Sequence, residues 1–331
     1  MVLFAHLVHE TQDHRVPLMP SVTENTGIIW GTGVDVFFIV SGFIMYYLTS
    51  ENFGSRSYAA EFLKRRIVRV VPLYWLFTAL MLVALWQFHG LLRHTDAPLS
   101  TVIASFLFFP VTRADGQIQP ILILGWTLEY EMFFYGCFAV ALLNRKSVGL
   151  SALVVAFVAF VTVGRFIPDL VTPLRFCSSP IIVEFLLGIL LAHLYLRRVR
   201  VGFFAQGALL AIAFVLMAIM GHFQYLDRWI WGGLPAFVLV FGLTLGPQWK
   251  VQALAIGGDA SYSFYLSHPF TLNAVAMLWT KTHLPLNGWV YVGVGMIVCL
   301  AVALGVYRFV ELPMLRVLRR RFEPTWAEVS A

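Results

Sequence analysis

The chain has 331 residues, of which 60% are hydrophobic and 15% aromatic while only 12% are charged, against about 25% charged in an ordinary soluble protein. A single packed core cannot hide that much apolar surface from water, so nuclear, cytosolic and freely secreted proteins are excluded and an integral membrane protein is implied. Its 23 basic and 17 acidic residues give a formal charge of +6, an excess that in a membrane chain belongs to cytoplasmic loops rather than to a nucleic-acid footprint.

The chain opens on an apolar run, 1–8, that covers about half a span. It has no basic n-region and no small-residue cleavage site, and reads as the second half of a first helix. Apolar runs long enough to cross about 30 Å of hydrocarbon follow at 28–48, 71–88, 121–143, 148–164, 181–196, 203–221, 230–245, 262–279 and 289–309. An all-α membrane protein of about ten transmembrane helices, the first truncated, is therefore expected. A further apolar piece, 101–110, is too short to span and is bounded by Pro98 and Pro110, which suits an interfacial or re-entrant segment packed on protein. Cys137, Cys177 and Cys299 each lie in apolar runs with no CxxC pair, so neither a disulfide framework nor a metal site is expected.

With ten spans, fifteen basic residues fall in the connections after even-numbered spans: Arg56, Lys64, Arg65, Arg66, Arg69, Arg145, Lys146, Arg197, Arg198, Arg200, Lys250, Arg316, Arg319, Arg320 and Arg321. Seven fall on the other side: Arg15, Arg93, Arg113, Arg165, Arg175, Arg228 and Lys281. The positive-inside rule then places both termini in the cytoplasm. With no internal repeat and no low-complexity linker, residues 1–322 read as one transmembrane domain and 323–331 as a short cytoplasmic tail.

Ionisable groups inside spans cost about 2.5–3.5 kcal/mol each on insertion scales and are functional candidates for that reason. Asp35 follows Gly31 and Gly33; Glu129 and Glu131 share one span; Glu184 and His193 share another; His268 precedes Pro269; His6 lies in the opening run. For each, a paired charge that fixes helix packing is the alternative, and the glycines around Asp35 also suit close helix approach. Glu129 and Glu131 are two residues apart, about 200° around a helix, so they cannot both face one site. Proline disfavours helix in the residue before it, so His268 is expected at a helix break lining a cavity. Arg66 and Arg69, three apart, share one face if their segment is helical and could clamp a phosphate bidentately. A positive-inside anchor would explain the same cluster.

Taken in order, six segments resemble the acyltransferase-3 family of membrane-bound acyltransferases, particularly its exopolysaccharide-modifying branch. They are Val2-Leu-Phe-Ala-His6; Gly33-Val-Asp-Val-Phe-Phe-Ile-Val-Ser41-Gly-Phe; Arg66-Ile-Val-Arg69 running into Pro72-Leu-Tyr74; Trp126-Thr-Leu-x-x-Glu131-x-x-Phe-Tyr135; Ser261-Tyr262-Ser-Phe-Tyr-Leu-Ser-His268-Pro269; and Glu311-Leu-Pro. The resemblance implies that an acyl group, most often acetyl, passes from cytoplasmic acyl-coenzyme A to a hydroxyl of a cell-surface or lipid-linked polysaccharide at the inner membrane, with no metal. It gives the catalytic places to His6, Asp35 and Glu131, the acyl-coenzyme A to Arg66, Arg69 and Tyr74, and pocket or supporting roles to Ser41, Trp126, Tyr262 and His268. Family members usually carry an arginine eleven positions before the first-helix histidine, a position upstream of Met1 here. His9, three residues from His6, is the other candidate for that histidine.

A sugar hydroxyl is a poor nucleophile, so transfer from a thioester needs a base and donors for the developing oxyanion. Histidine, with an ordinary pKa of about 6.5, is the natural base, and Asp35 or Glu131 could orient it. His6, Asp35, Arg66, Arg69 and Glu131 are then expected around one hollow open to the cell interior. The competing reading is a polytopic transporter of a glycolipid or small anion, which commonly shows inverted repeats; no second copy of the Asp35 or Glu131 segment is present. The longest outer connection, 89–120, is the expected acceptor contact. The sequence leaves the acyl chain, the sugar and the oligomeric state open, a homodimer included.

Overall fold

The computed structural model describes residues 1–12, 30–87, 98–113, 116–166, 171–248, 251–282 and 288–322. Residues 323–331, and residues 89–97 and 114–115 of the connection expected to touch the acceptor, lie outside the described residues. In chain order the helices are α1 (Val2–Gln12), α2 (Gly33–Thr49), α3 (Arg56–Gln87), α4 (Leu99–Phe106), α5 (Gly125–Leu142), α6 (Lys146–Phe166) and α7 (Thr172–Cys177). There follow α8 (Val183–Leu196), α9 (Phe203–Met220), α10 (Leu234–Leu245), α11 (Gln252–Asp259), α12 (Ser261–Thr282), α13 (Gly288–Val306) and α14 (Leu312–Phe322). Among the described residues there is no strand, only an isolated bridge between Thr112 and Ile118. Helix is what so apolar a chain must form, because hydrocarbon offers backbone N–H and C=O groups no partner outside the segment itself.

Among the described residues, five helical stretches are long and apolar enough to cross a membrane: Trp30–Thr49, Arg56–Gln87, Lys146–Phe166, Phe203–Phe223 and Gly288–Arg320. Pro180–Leu196 and Trp229–Leu245 are shorter apolar helices. The expected short piece at 101–110 is α4, held to α3 where the Trp75 indole donates to the Phe106 carbonyl at 2.7 Å. Leu99 and Ile103 on it, and Leu107 just after it, are exposed.

One expectation is overturned. Pro269 does not break the backbone at His268, because α12 runs through it from Ser261 to Thr282. A proline missing one N–H leaves one carbonyl without its helical donor, whereas a break in hydrocarbon would strand several groups. Likewise α3 carries Pro72 inside an unbroken 32-residue helix, which makes the Arg66–Arg69 segment helical.

The core is aromatic. Phe134 of α5 stacks on Phe185 of α8 at 4.2 Å, and Phe38, Phe138 and Phe157 complete the cluster from α2, α5 and α6. This puts α5, with its two glutamates, at the centre. The helix α1 docks by Leu3 and Leu7 on Leu272 and Ala276 of α12 and Tyr291 and Val292 of α13. Helices α2 and α8 approach until backbones touch: a Cβ at Gly42 would lie 2.1 Å from the Phe185 carbonyl oxygen, and one at Gly188 would lie 2.1 Å from that of Ile39. Small residues permit such contact in membranes, where dispersion and packing hold helices together. Gly188→Ala is expected to force the pair apart at a cost of about 1–3 kcal/mol, read as a lower melting temperature in detergent; unchanged melting would show that the pair can separate freely.

Candidate active site

Around Glu131 and Glu311, polar groups from five elements meet. Glu131 is buried on α5 and accepts from the Ser41 hydroxyl of α2 at 3.0 Å and from the Tyr135 hydroxyl one turn further along α5. The 3.6-residue repeat brings Arg66 and Arg69 of α3 to this side together, and the charges of both act on Glu131. Arg66 lies over the Phe62 and Tyr135 rings at 5.7 and 5.9 Å. Arg69 pairs at 2.7 Å with Glu311, which is fully buried at the end of a π-helical turn, Tyr307–Glu311, and also accepts from Ser263 of α12. The Tyr262 hydroxyl donates to the Val70 carbonyl at 2.7 Å, tying α12 to α3 beside Arg69. Two guanidiniums thus face two buried carboxylates.

Asp35 is elsewhere. It is fully buried near the start of α2, and Arg228 forks onto it with Nε–Oδ1 at 3.0 Å and Nη2–Oδ2 at 3.1 Å. The Arg228 guanidinium sits 5.7 Å from the Trp126 ring and 5.3 Å from that of Trp231, a cation–π arrangement. Glu184 of α8 adds its buried carboxyl beside Asp35. The two glycines that end the adjoining π-helical turn, Trp229–Gly233, crowd these carboxyls: a Cβ at Gly232 would lie 2.8 Å from the Asp35 carboxylate and one at Gly233 3.1 Å from Glu184. The neighbouring Asp227 pairs with Arg165, so a dipeptide of opposite charges is held by two distant helices.

The histidines form a third group. The rings of His6 and His268 lie 5.3 Å apart. The His268 Nδ1–H donates to the Phe264 carbonyl at 3.2 Å, which leaves Nε2 as the lone-pair nitrogen; it is buried and has no hydrogen-bond partner among the described residues. His6 is exposed. An imidazole open to a reactant therefore rests on one fixed in a single tautomer.

A hollow of about 430 Å³, counting its mouth open to solvent, lies between α1, α2, α5 and α12, lined by Val2, Gly33, Val34, Phe37, Thr127, Ser261, Tyr262 and Tyr265. The five residues expected around one void do not line it. They divide among three groups, and some members stand one helical turn along the chain from a lining residue: His6 follows Val2 by four residues, Ser41 follows Phe37 and Glu131 follows Thr127 by four, and His268 follows Tyr265 by three. Tyr74 is not with Arg66 and Arg69. It is fully buried, its ring 4.6 Å from that of Phe108 and its hydroxyl 2.6 Å from where a Gly125 Cβ would stand, on the side of α5 that carries Glu129. Trp126 supports Arg228, and His193 accepts or donates a single bond to the Tyr46 hydroxyl at 3.2 Å. The sequence reading counted Arg228 only as a loop charge; its one signal was that Asp35, inside a span, needed a cation from somewhere.

These groups can hold an anion and lend a base. A family model described as an acyltransferase domain matches residues 1–308. The exopolysaccharide production protein ExoZ of Rhizobium meliloti (strain 1021) is 33% identical over 309 residues, covering 90% of this chain and 94% of its own. No solved structure matches the chain. On these two matches, this all-helical membrane protein belongs to the acyltransferase-3 family.

Proposed function

We propose that the protein transfers an acyl group, most often acetyl, from cytoplasmic acyl-coenzyme A to a hydroxyl of a cell-surface or lipid-linked polysaccharide, at the inner membrane, through a bundle of ten spans with both termini in the cytoplasm. The observation that carries this reading is the His6–His268 pair, whose rings lie 5.3 Å apart one helical turn from Val2 and Tyr265 in the lining of the hollow. His268 Nε2 can accept the N–H of His6 and so direct the other His6 nitrogen, as a base, toward a reactant. This replaces the expectation that Asp35 or Glu131 orients the imidazole, because both carboxylates are engaged elsewhere. The His6 nitrogen takes the proton of the sugar hydroxyl as its oxygen attacks the thioester carbonyl. The tetrahedral intermediate expels the coenzyme A thiolate, and the imidazolium returns the proton to that sulfur.

Purified protein given labelled acetyl-coenzyme A and glycan from a strain lacking the gene is expected to label the glycan and release free coenzyme A in equal amounts. Passage of the glycan with no acyl loss would instead favour a transporter. Arg66→Ala with Arg69→Ala is expected to raise the KM for acyl-coenzyme A at least tenfold and to lower turnover less. An unchanged donor KM removes the phosphate-clamp assignment.

A further inference from the structure

The charges around Arg66 and Arg69 do not suffice for a coenzyme A donor. Arg69 is paired at 2.7 Å with the buried Glu311, and both guanidiniums share the field of the buried Glu131. With Arg69 matched to Glu311, at most one positive charge, that of Arg66, is left for a donor. A donor with a 3′-phosphate and a 5′-diphosphate brings a charge of about −4 at neutral pH, and on the same face Arg65 is paired at 3.0 Å with Glu61.

A further cluster of cations, with no ion pair among the described residues, stands on α14. This helix, Leu-Pro-Met-Leu-Arg-Val-Leu-Arg-Arg-Arg-Phe, begins at the residue after Glu311 and contains no acidic residue. Leu315 is buried and Met314 packs on the main core, so α14 is seated on the protein; Arg316, Arg319 and Arg320 are exposed. Arg316 lies three and four residues before the other two, so all three occupy one flank. At 1.5 Å per residue they sit about 7 to 13 Å beyond Glu311 along the helix axis. The ion pair of Arg69 with Glu311 therefore fixes where this second cluster stands relative to the first.

We infer that Arg316, Arg319 and Arg320 form the site for the adenosine 3′-phosphate 5′-diphosphate end of the donor, with Arg66 and Arg69 set deeper, toward Glu131. The inference rests on the acyl-coenzyme A reading given above. Arginine suits it, because each guanidinium presents paired donors that match two phosphate oxygens. An anionic lipid headgroup offers the same phosphate chemistry at a membrane surface; the continuity of α14 with the Arg69–Glu311 pair favours the donor.

The test compares wild type, a triple Arg→Gln variant at 316, 319 and 320, and the matching triple Arg→Lys variant, as full chains in a neutral detergent. Coenzyme A binding by calorimetry is expected to weaken at least thirtyfold in the Gln variant, to recover most of the loss in the Lys variant, and to fall with added salt in wild type. With acetyl-pantetheine, which lacks the phosphates, the KM of the Gln variant should equal that of wild type. If wild type binds coenzyme A, Arg66→Ala with Arg69→Ala weakens it and the Gln variant does not, this inference fails and the acyl-coenzyme A reading stands. If wild type binds no coenzyme A, both fail. If the Gln variant loses only stabilisation by phosphatidylglycerol nanodiscs, with its coenzyme A affinity intact, the arginines serve lipid and the inference is overturned.

Discussion

Arg228→Leu is expected to leave little folded protein. Asp35 is fully buried and takes both its charge partner and its two side-chain hydrogen bonds from Arg228, and Glu184 lies buried at its side. Removing one partner of a buried pair strands the other, at about 3–5 kcal/mol, against a total stability for ordinary domains of about 5–15 kcal/mol. Here two carboxyls are stranded. Gly232 and Gly233 press on them closely enough that backbone cannot easily withdraw to admit water. The measurement is the yield of monodisperse protein in detergent and its melting temperature. Asp35→Asn alone should cost less, since Arg228 remains half-buried and keeps the Trp126 and Trp231 rings. Asp35→Asn, Glu184→Gln and Arg228→Gln combined should recover most of the loss, because no charge is then buried unpaired. An Arg228→Leu protein that melts like wild type would sink the idea that this pair holds α2, α8 and α10 together. The combined variant also separates two roles for Asp35. If it folds and still transfers acyl groups, Asp35 acts by positioning helices; if it folds and is inactive, the catalytic place implied by the family resemblance stands.

How far the sequence carried the fold follows from which contacts are local. Composition alone fixed the membrane class, and apolar run length fixed most helices to within a few residues, because both depend only on near neighbours. The opposite aims of Glu129 and Glu131 were legible for the same reason: one reaches Ser41 and Tyr135, while the other lies toward Tyr74 with no hydrogen-bond partner among the described residues. The pairing of Arg228 with Asp35 spans 193 residues, and nothing in either segment names the other. Arg69 and Glu311 show the same limit, since both lie in recognised motifs yet their union could not be read from spacing. Glycine was ambiguous in a different way. Gly42 and Gly188 serve helix contact, whereas Gly232 and Gly233 make room for carboxylates, and an absent side chain leaves the same mark in sequence for both. The expected break at Pro269 failed because a local preference was outweighed by the cost of unpaired backbone in hydrocarbon.

His6→Ala is expected to lower turnover by about 10²–10⁴-fold, the usual contribution of a positioned general base, with little change in melting temperature because the side chain is exposed. His9, three residues along α1, gives the internal comparison. It is the ring of His6 that stands 5.3 Å from His268, so His9→Ala should cost less than tenfold. His268→Gln tests the relay between the rings. Glutamine can still bond the helix carbonyl that Nδ1 now serves, but it offers His6 no imidazole nitrogen. Its loss should therefore fall between those of the other two and appear as a changed pH–rate profile, which a purely structural substitution would not produce. Free imidazole in the assay should restore part of the activity of His6→Ala, since the missing group is small and its place is open. Rapid mixing then distinguishes the two routes open to a histidine base. A burst of coenzyme A in the absence of glycan means that His6 carries the acyl group before passing it on; no burst, with release strictly dependent on acceptor, means that it only moves the proton. Full activity in His6→Ala would place the base on another side chain and remove the pair of histidines from the mechanism.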